Sequence, residues 1–200
     1  MEKGIKSKRR ILETAFTLFA AYSYPDVSYS LLEKATGISR GSMVYYFKNK
    51  EGIFRDVIET FVLHLGSLDD VPESDMTSLY KFFNAVVESE KKAQEFAAAY
   101  RIKNLNEASF NISRNALQFM PEFKEHRRNS MMNEYEKWKR VIAASVQSGE
   151  LRGDIDVDNM ARIFQSVRMG QMSLGIYIPA CYDPEELRRL YVQLYTMIKA

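Results

Sequence analysis

The chain has 200 residues, of which 46% are hydrophobic and 27% charged, enough apolar mass for one large core or two small ones. No window approaches the ~20 continuous apolar residues of a membrane span, and no apolar leader core follows the basic start "MEKGIKSKRR", so a cytoplasmic protein without a membrane partner is expected. Residues 1–55 hold 10 Lys/Arg against 5 Asp/Glu and residues 56–200 hold 18 against 21, an asymmetry that suits either a polyanion met by the N-terminal part or a solvated basic face.

Apolar residues recur at helical spacing along the whole chain and no run alternates as a half-buried strand does, which predicts an all-α fold. The first helix shows Leu12, Ala15, Phe16 and Phe19 on one face and ends near "YSYPDVS", where Pro25 bars continuation. Ser28 can cap a short second helix from about Tyr29 to Ala35, which Gly37 stops. Ser39 then offers an oxygen to cap a third helix reaching Phe47, so residues 28–47 read as helix, tight turn, helix. A fourth helix carries Ile53, Phe54, Val57, Ile58, Phe61, Val62 and Leu65 as a wide apolar stripe.

Gly66 to Asp75 gathers Gly, Pro, Ser and acids between two periodic runs and is the best boundary candidate. Beyond it the spacing predicts helices near Met76 to Ser89, Lys91 to Lys103, Asn106 to Phe119, Pro121 to Ser148, Asp158 to Tyr177 and Pro184 to Lys199. Pro121 and Pro184 suit first-turn positions, and Asp158 and Asp183 suit caps.

Catalytic raw material is scarce. His64 and His126 are far apart in sequence, Cys181 is the single cysteine, and no phosphate-cradling glycine motif is present. Neither an enzyme nor a metal or other cofactor is expected.

The third helix offers a different chemistry. Capped by Ser39, its first turn presents Arg40, Gly41 and Ser42, a positive fork and a hydroxyl with little bulk in the way, as insertion into a DNA major groove requires. Ile38, Met43 and Phe47 are spaced to face the core. Tyr45 and Tyr46 fall on the remaining sides, where their hydroxyls could reach phosphates, and Lys48 and Lys50 flank the next helix start. Taken singly, the tyrosines could equally close a core corner and the cations could be solvated.

The run "FAAYSYPDVSYSLLEKATGISRGSMVYYFKNKEGIF", Phe19 to Phe54, resembles the DNA-binding domain of TetR-family transcriptional regulators. That resemblance implies a three-helix DNA-binding domain over residues 1–50, joined through a fourth helix to a helical ligand-binding and dimerisation domain over residues 51–200. It implies that Ser28 and Lys50 meet phosphates, that Arg40, Gly41 and Ser42 approach bases, and that Tyr45 and Tyr46 hold the backbone. Ser23, Leu32–Glu33 and Val44 depart from the pattern, replacing a glycine, an Ile–Ala pair and a phosphate-contacting Tyr. The expected activity is repression from a two-fold symmetric site on double-stranded DNA, relieved when a homodimer takes up a small, largely apolar effector. The alternative is a helical protein-interaction adaptor that keeps the helix-turn-helix without reading DNA.

Candidate effector-pocket residues are Phe96, Tyr100, Phe119, Met131, Tyr135, Trp138, Phe164 and Met169, since Met and aromatic side chains suit an adaptable apolar cavity. Candidate dimer-face residues are Phe164, Val167, Gly170, Gly175, Leu187, Leu190 and Leu194, with Ile163 beside them. Both sets could instead fill the monomer core.

Overall fold

The computed structural model describes residues 2–63, 65–69 and 71–200, so His64 lies outside the described residues. The helices are α1 (Glu2–Ala21), α2 (Tyr29–Thr36), α3 (Arg40–Phe47), α4 (Lys50–Val57), α5 (Leu79–Ala99), α6 (Leu105–Phe119), α7 (Phe123–Gln147), α8 (Val157–Leu174), α9 (Pro179–Tyr182) and α10 (Pro184–Ile198). Among the described residues the only extended pairing is one antiparallel bridge between Leu151 and Lys199. No helix among them is long and apolar enough to cross a membrane.

Two compact units divide the chain: residues 1–65 with 95–123, and residues 66–94 with 124–200. The division runs through α5, a single helix where the sequence suggested two. The "ESEKK" stretch that suggested a break contains neither Gly nor Pro, and its Ser89 hydroxyl and Glu90 carboxylate have partners elsewhere in the second unit, the Ser67 carbonyl and Arg168.

In the first unit α1 is the central element, packed on α2, α3, α4 and α6. Ile11, Ala15, Phe16 and Phe19 are fully enclosed, as are Leu32, Met43, Ile53, Phe54 and Val57 from the following helices. α4 continues into a π-helical turn, Ile58–Val62, where the Leu63 N–H reaches the Ile58 carbonyl at 3.0 Å. Asn104 caps α6, accepting from the N–H groups of Asn106 and Glu107.

The second unit is built on Phe82, Phe83, Trp138, Val141, Phe164 and Tyr191, all closed to solvent. Glu150 accepts from the Ser78 hydroxyl and the Tyr80 N–H at 3.0 Å each, so an acid from the α7–α8 loop sits at the positive end of α5. α8 is capped by Asp156 rather than Asp158, which instead accepts from the Tyr135 hydroxyl at 2.7 Å and pairs with Lys139 at 2.8 Å. Pro121 lies in the turn before α7, not in its first turn, whereas Pro184 opens α10 behind its Asp183 cap. Arg168 is buried: it reaches Glu90, Glu134 at 2.8 Å, and the Gly66 carbonyl at 2.5 Å. Burial by itself would lower the Arg168 guanidinium, but the two carboxylates outweigh it and hold it above its ordinary value.

Candidate nucleic-acid interface

Ser28 caps α2 by accepting from the Leu31 N–H at 3.2 Å, and Gly37 ends the helix with φ 67°, a conformation that costs a residue without Cβ nothing. Thr36 is buried in this corner; its hydroxyl donates to the Leu32 carbonyl at 2.7 Å and accepts from the Ile38 N–H at 3.1 Å. Ser39 then caps α3, accepting from the Ser42 N–H at 3.4 Å, with the two hydroxyl oxygens 3.2 Å apart. Glu33 supplies a second acceptor at the same helix end, taking the Arg40 N–H at 2.5 Å. The acid that breaks the family pattern therefore satisfies a helix-start donor and complements the helix dipole.

α3 is anchored by Met43 and Phe47, both buried, with Ile38 half-buried behind the turn. Its outer surface carries Arg40, Gly41, Val44 and Tyr45, all exposed, with Ser42 and Tyr46 half-buried beside them. The Arg40 guanidinium lies 4.7 Å from the centre of the Tyr29 ring. A Cβ on Gly41 would meet only the Ser39 hydroxyl oxygen, at 4.0 Å, so the fold does not require glycine there and the missing side chain simply leaves α3 open. Tyr45 is 83% exposed and meets Tyr46 edge-on at 5.2 Å; Tyr46 faces α1, its hydroxyl 3.4 Å from where a Cβ on Gly4 would stand.

The α3–α4 corner is tight. Lys48 has φ 67° and ψ −52°, and the Asn49 N–H reaches back to the Phe47 carbonyl at 2.8 Å, a γ-turn of the strained hand. Asn49 caps α4 through the Gly52 N–H at 2.8 Å. A Cβ on Gly52 would overlap the Phe47 carbonyl oxygen, so only glycine fits this first turn. Lys8 secures the corner to α1 by pairing with Asp56 at 3.1 Å beside the Phe47 ring.

Lys48 is exposed, whereas Lys50, which the resemblance sets against a phosphate, is half-buried. Its ammonium donates to the Tyr24 carbonyl at 2.8 Å over the Tyr24 ring, and burial pushes it below its ordinary value, with Asp26 opposing. Tyr24 in turn packs on Phe54 and on Phe119, and its N–H donates to the Asn115 side chain at 3.1 Å. Ser23, the second departure from the pattern, donates its hydroxyl to Asp26 in the same loop. Tyr24, Tyr29 and Gly52 escaped the sequence reading; a close run of aromatic and turn residues was the one signal pointing to them.

The effector candidates fall in both units. Phe96 and Tyr100 join Phe16 and Phe61 in the first unit, and Phe119 stacks near Tyr24 there. Trp138 and Phe164 are core of the second unit, 5.2 Å apart and closed to solvent; Tyr135 is bound to Asp158, Met131 is exposed and Met169 half-buried. Of the dimer candidates, Phe164 and Leu187 are walled into the same core and Gly175 is buried at the end of α8, so none of the three presents a surface to a partner. Val167, Gly170, Leu190 and Leu194 are half-buried and Ile163 is 42% exposed.

Residues 11–57 match the family described as bacterial regulatory proteins, tetR family. The HTH-type transcriptional regulator AcrR of Shigella flexneri is 22% identical over 201 residues, covering 96% of this chain and 89% of that protein. A transcriptional regulator of the TetR family from Cytophaga hutchinsonii superposes with a TM-score of 0.70 at 16% identity, over 100% of this chain and 98% of that one. SmeT, the repressor of the Stenotrophomonas maltophilia multidrug efflux pump SmeDEF, superposes in its triclosan complex with a TM-score of 0.67 at 17% identity, over 98% of this chain and 92% of its own.

Proposed function

We propose that this chain is a repressor of the TetR family, whose model its residues 11–57 match, and that it holds a two-fold symmetric operator as a homodimer and releases it on binding a small, largely apolar effector. The observation that carries the reading is the first turn of α3: Ser39, Arg40 and Gly41 lie exposed on a helix whose opposite side, Met43 and Phe47, is locked in the core. Such a helix can enter a major groove without unpacking, and two copies related by a dyad meet successive faces of one duplex.

In this reading Arg40, Gly41 and Ser42 approach base edges, while Ser28, Ser39, Tyr45, Tyr46 and Lys48 hold the phosphates. Lys50 acts as a strut under the corner, in keeping with its bond to Tyr24. Residues 1–50 serve DNA, and residues 51–200 serve effector and partner. The half-buried and exposed face of α8 around Ile163, Val167 and Gly170, with Leu190 and Leu194 of α10, supplies the dimer surface; a Cβ on Gly170 would meet nothing within 4 Å, which leaves room for a second backbone. The effector is taken up by Met and aromatic side chains within residues 51–200. SmeT supports both repression and uptake of a small apolar molecule, being a repressor solved with triclosan. The protein acts in the cytoplasm and needs no cofactor.

Selection from random duplex DNA at low salt tests the reading. A two-fold symmetric consensus is expected; a pool that stays random rejects it.

A further inference from the structure

We propose that Tyr29 and Glu33 of α2 are positioning residues for Arg40, so that the base preference of α3 is set partly by the helix before it. The inference rests on the reading that α3 enters the major groove. Arg40 is exposed and opens its helix, where an arginine would ordinarily sample many rotamers. Two contacts restrict it. The Glu33 carboxylate takes its backbone N–H at 2.5 Å, which pins the start of α3 to α2, and the Tyr29 ring lies 4.7 Å from its guanidinium carbon.

The geometry suits base reading. Tyr29 opens α2 and Arg40 opens α3, and after the left-handed Gly37 turns the chain the Arg40 side chain reaches back along α2 to the Tyr29 ring. Glu33 is one turn after Tyr29 on α2, so both groups meet Arg40 from one side. A guanidinium above an aromatic face keeps its outer N–H donors free, because the attraction uses the face of the cation and not its hydrogens. Bidentate contact with guanine requires that the fork be presented in a fixed plane, so a fork held before encounter loses less freedom on binding. The two contacts act on different parts of one residue: the Glu33 carboxylate fixes the Arg40 backbone at the helix start, and the Tyr29 ring lies against its guanidinium.

The test is discrimination at single base pairs. The selected site and its single-base-pair variants are titrated with the full chain and with Tyr29→Leu, Tyr29→Phe, Glu33→Ala and Glu33→Gln, each alone and combined with Arg40→Ala. Tyr29→Leu is expected to flatten discrimination by about two- to twelvefold at the same symmetric base pair that Arg40→Ala flattens, the equivalent of freeing one flexible side chain. Other positions should keep their preference, Tyr29→Phe should behave as wild type, and Tyr29→Leu should add nothing once Arg40 is alanine. Glu33→Ala should follow Tyr29→Leu, with Glu33→Gln retaining most of the effect. Unchanged discrimination in Tyr29→Leu, an equal loss at every base pair, or an additive loss in the Arg40→Ala background would overturn the proposal. A wild-type pool without a consensus would overturn both this and the DNA-reading function, whereas a wild-type consensus with any of the other three outcomes overturns this alone.

Discussion

The Lys50 ammonium donates to the Tyr24 carbonyl at 2.8 Å and lies 4.2 Å from the centre of the same residue's ring, so one side chain closes the loop between α1 and α2 onto the start of α4. Through Tyr24 that contact extends to Asn115 and Phe119 of α6. A charged hydrogen bond at a half-buried site contributes about 1.5–3 kcal/mol before solvent screening. Lys50→Met should therefore lower stability by about 1–2 kcal/mol in a denaturant titration, while the salt dependence of DNA binding stays as in wild type. A salt slope reduced by about one would instead place Lys50 on a phosphate.

Lys48 combines strain and charge. Its φ of 67° in a γ-turn is a conformation that glycine adopts more easily, and its side chain is exposed beside the α3 surface. Lys48→Gly should raise stability by up to about 1 kcal/mol, relieved strain exceeding the added chain entropy. The same change should weaken binding to every duplex sequence alike. Thermal melting and titration at two salt concentrations read the two opposite signs separately; a melting temperature that falls would contradict the strained turn.

Gly52→Ala should be disruptive although it adds a single methyl group to a helix. The methyl would overlap the Phe47 carbonyl oxygen, and its next neighbour, the Phe47 carbonyl carbon, would be at 3.1 Å, so backbone must move. Overpacking of this kind costs about 1–3 kcal/mol, against the fraction of a kcal/mol that alanine gains in helix propensity. Circular dichroism melting of the purified variant decides it, and an unchanged midpoint would rule out the close approach.

Arg168→Met should cost about 3–5 kcal/mol, because Glu90 and Glu134 would then share a buried site without their cation. Adding Glu90→Gln and Glu134→Gln should recover much of the loss. Equilibrium unfolding in urea compares the three chains, and a single variant as stable as wild type would show that the network is not buried as described. Gly66 belongs to the same prediction: its φ is 67° and its Cβ would meet Arg168 at 3.0 Å, so Gly66→Ala should also destabilise.

Ile163→Asp addresses the partner surface without touching the core, since Ile163 is 42% exposed while its neighbour Phe164 is closed. Sedimentation velocity at micromolar concentration should show the wild type as a dimer and the variant shifted toward monomer, with an unchanged helical spectrum. A wild-type monomer would remove the two-fold docking geometry.

Much of this was legible in the chain. Ser28, Gly37, Ser39 and Asp183 act where local stereochemistry predicts, because a cap depends on residues within four positions of itself. Met43 and Phe47 follow from helical spacing in the same way. Phe164 and Leu187 were not separable from dimer-face residues, since an apolar side chain satisfies a core and an interface by the same burial. The join of two expected helices into α5 was hidden because the partners that accommodate Ser89 and Glu90, Ser67 and Arg168, are 22 and 78 residues away.

The sequence alone determined the helical class and the helix-turn-helix over residues 28–47, since both rest on contacts between near neighbours in the chain. Tertiary structure alone decided that Lys50 turns inward to Tyr24, that Glu33 and Tyr29 hold Arg40, and that Arg168 unites Glu90, Glu134 and Gly66. Each joins groups whose separation in space depends on how helices pack. A charged side chain takes whichever partner that packing brings within hydrogen-bond reach, and no periodicity in the sequence encodes the choice.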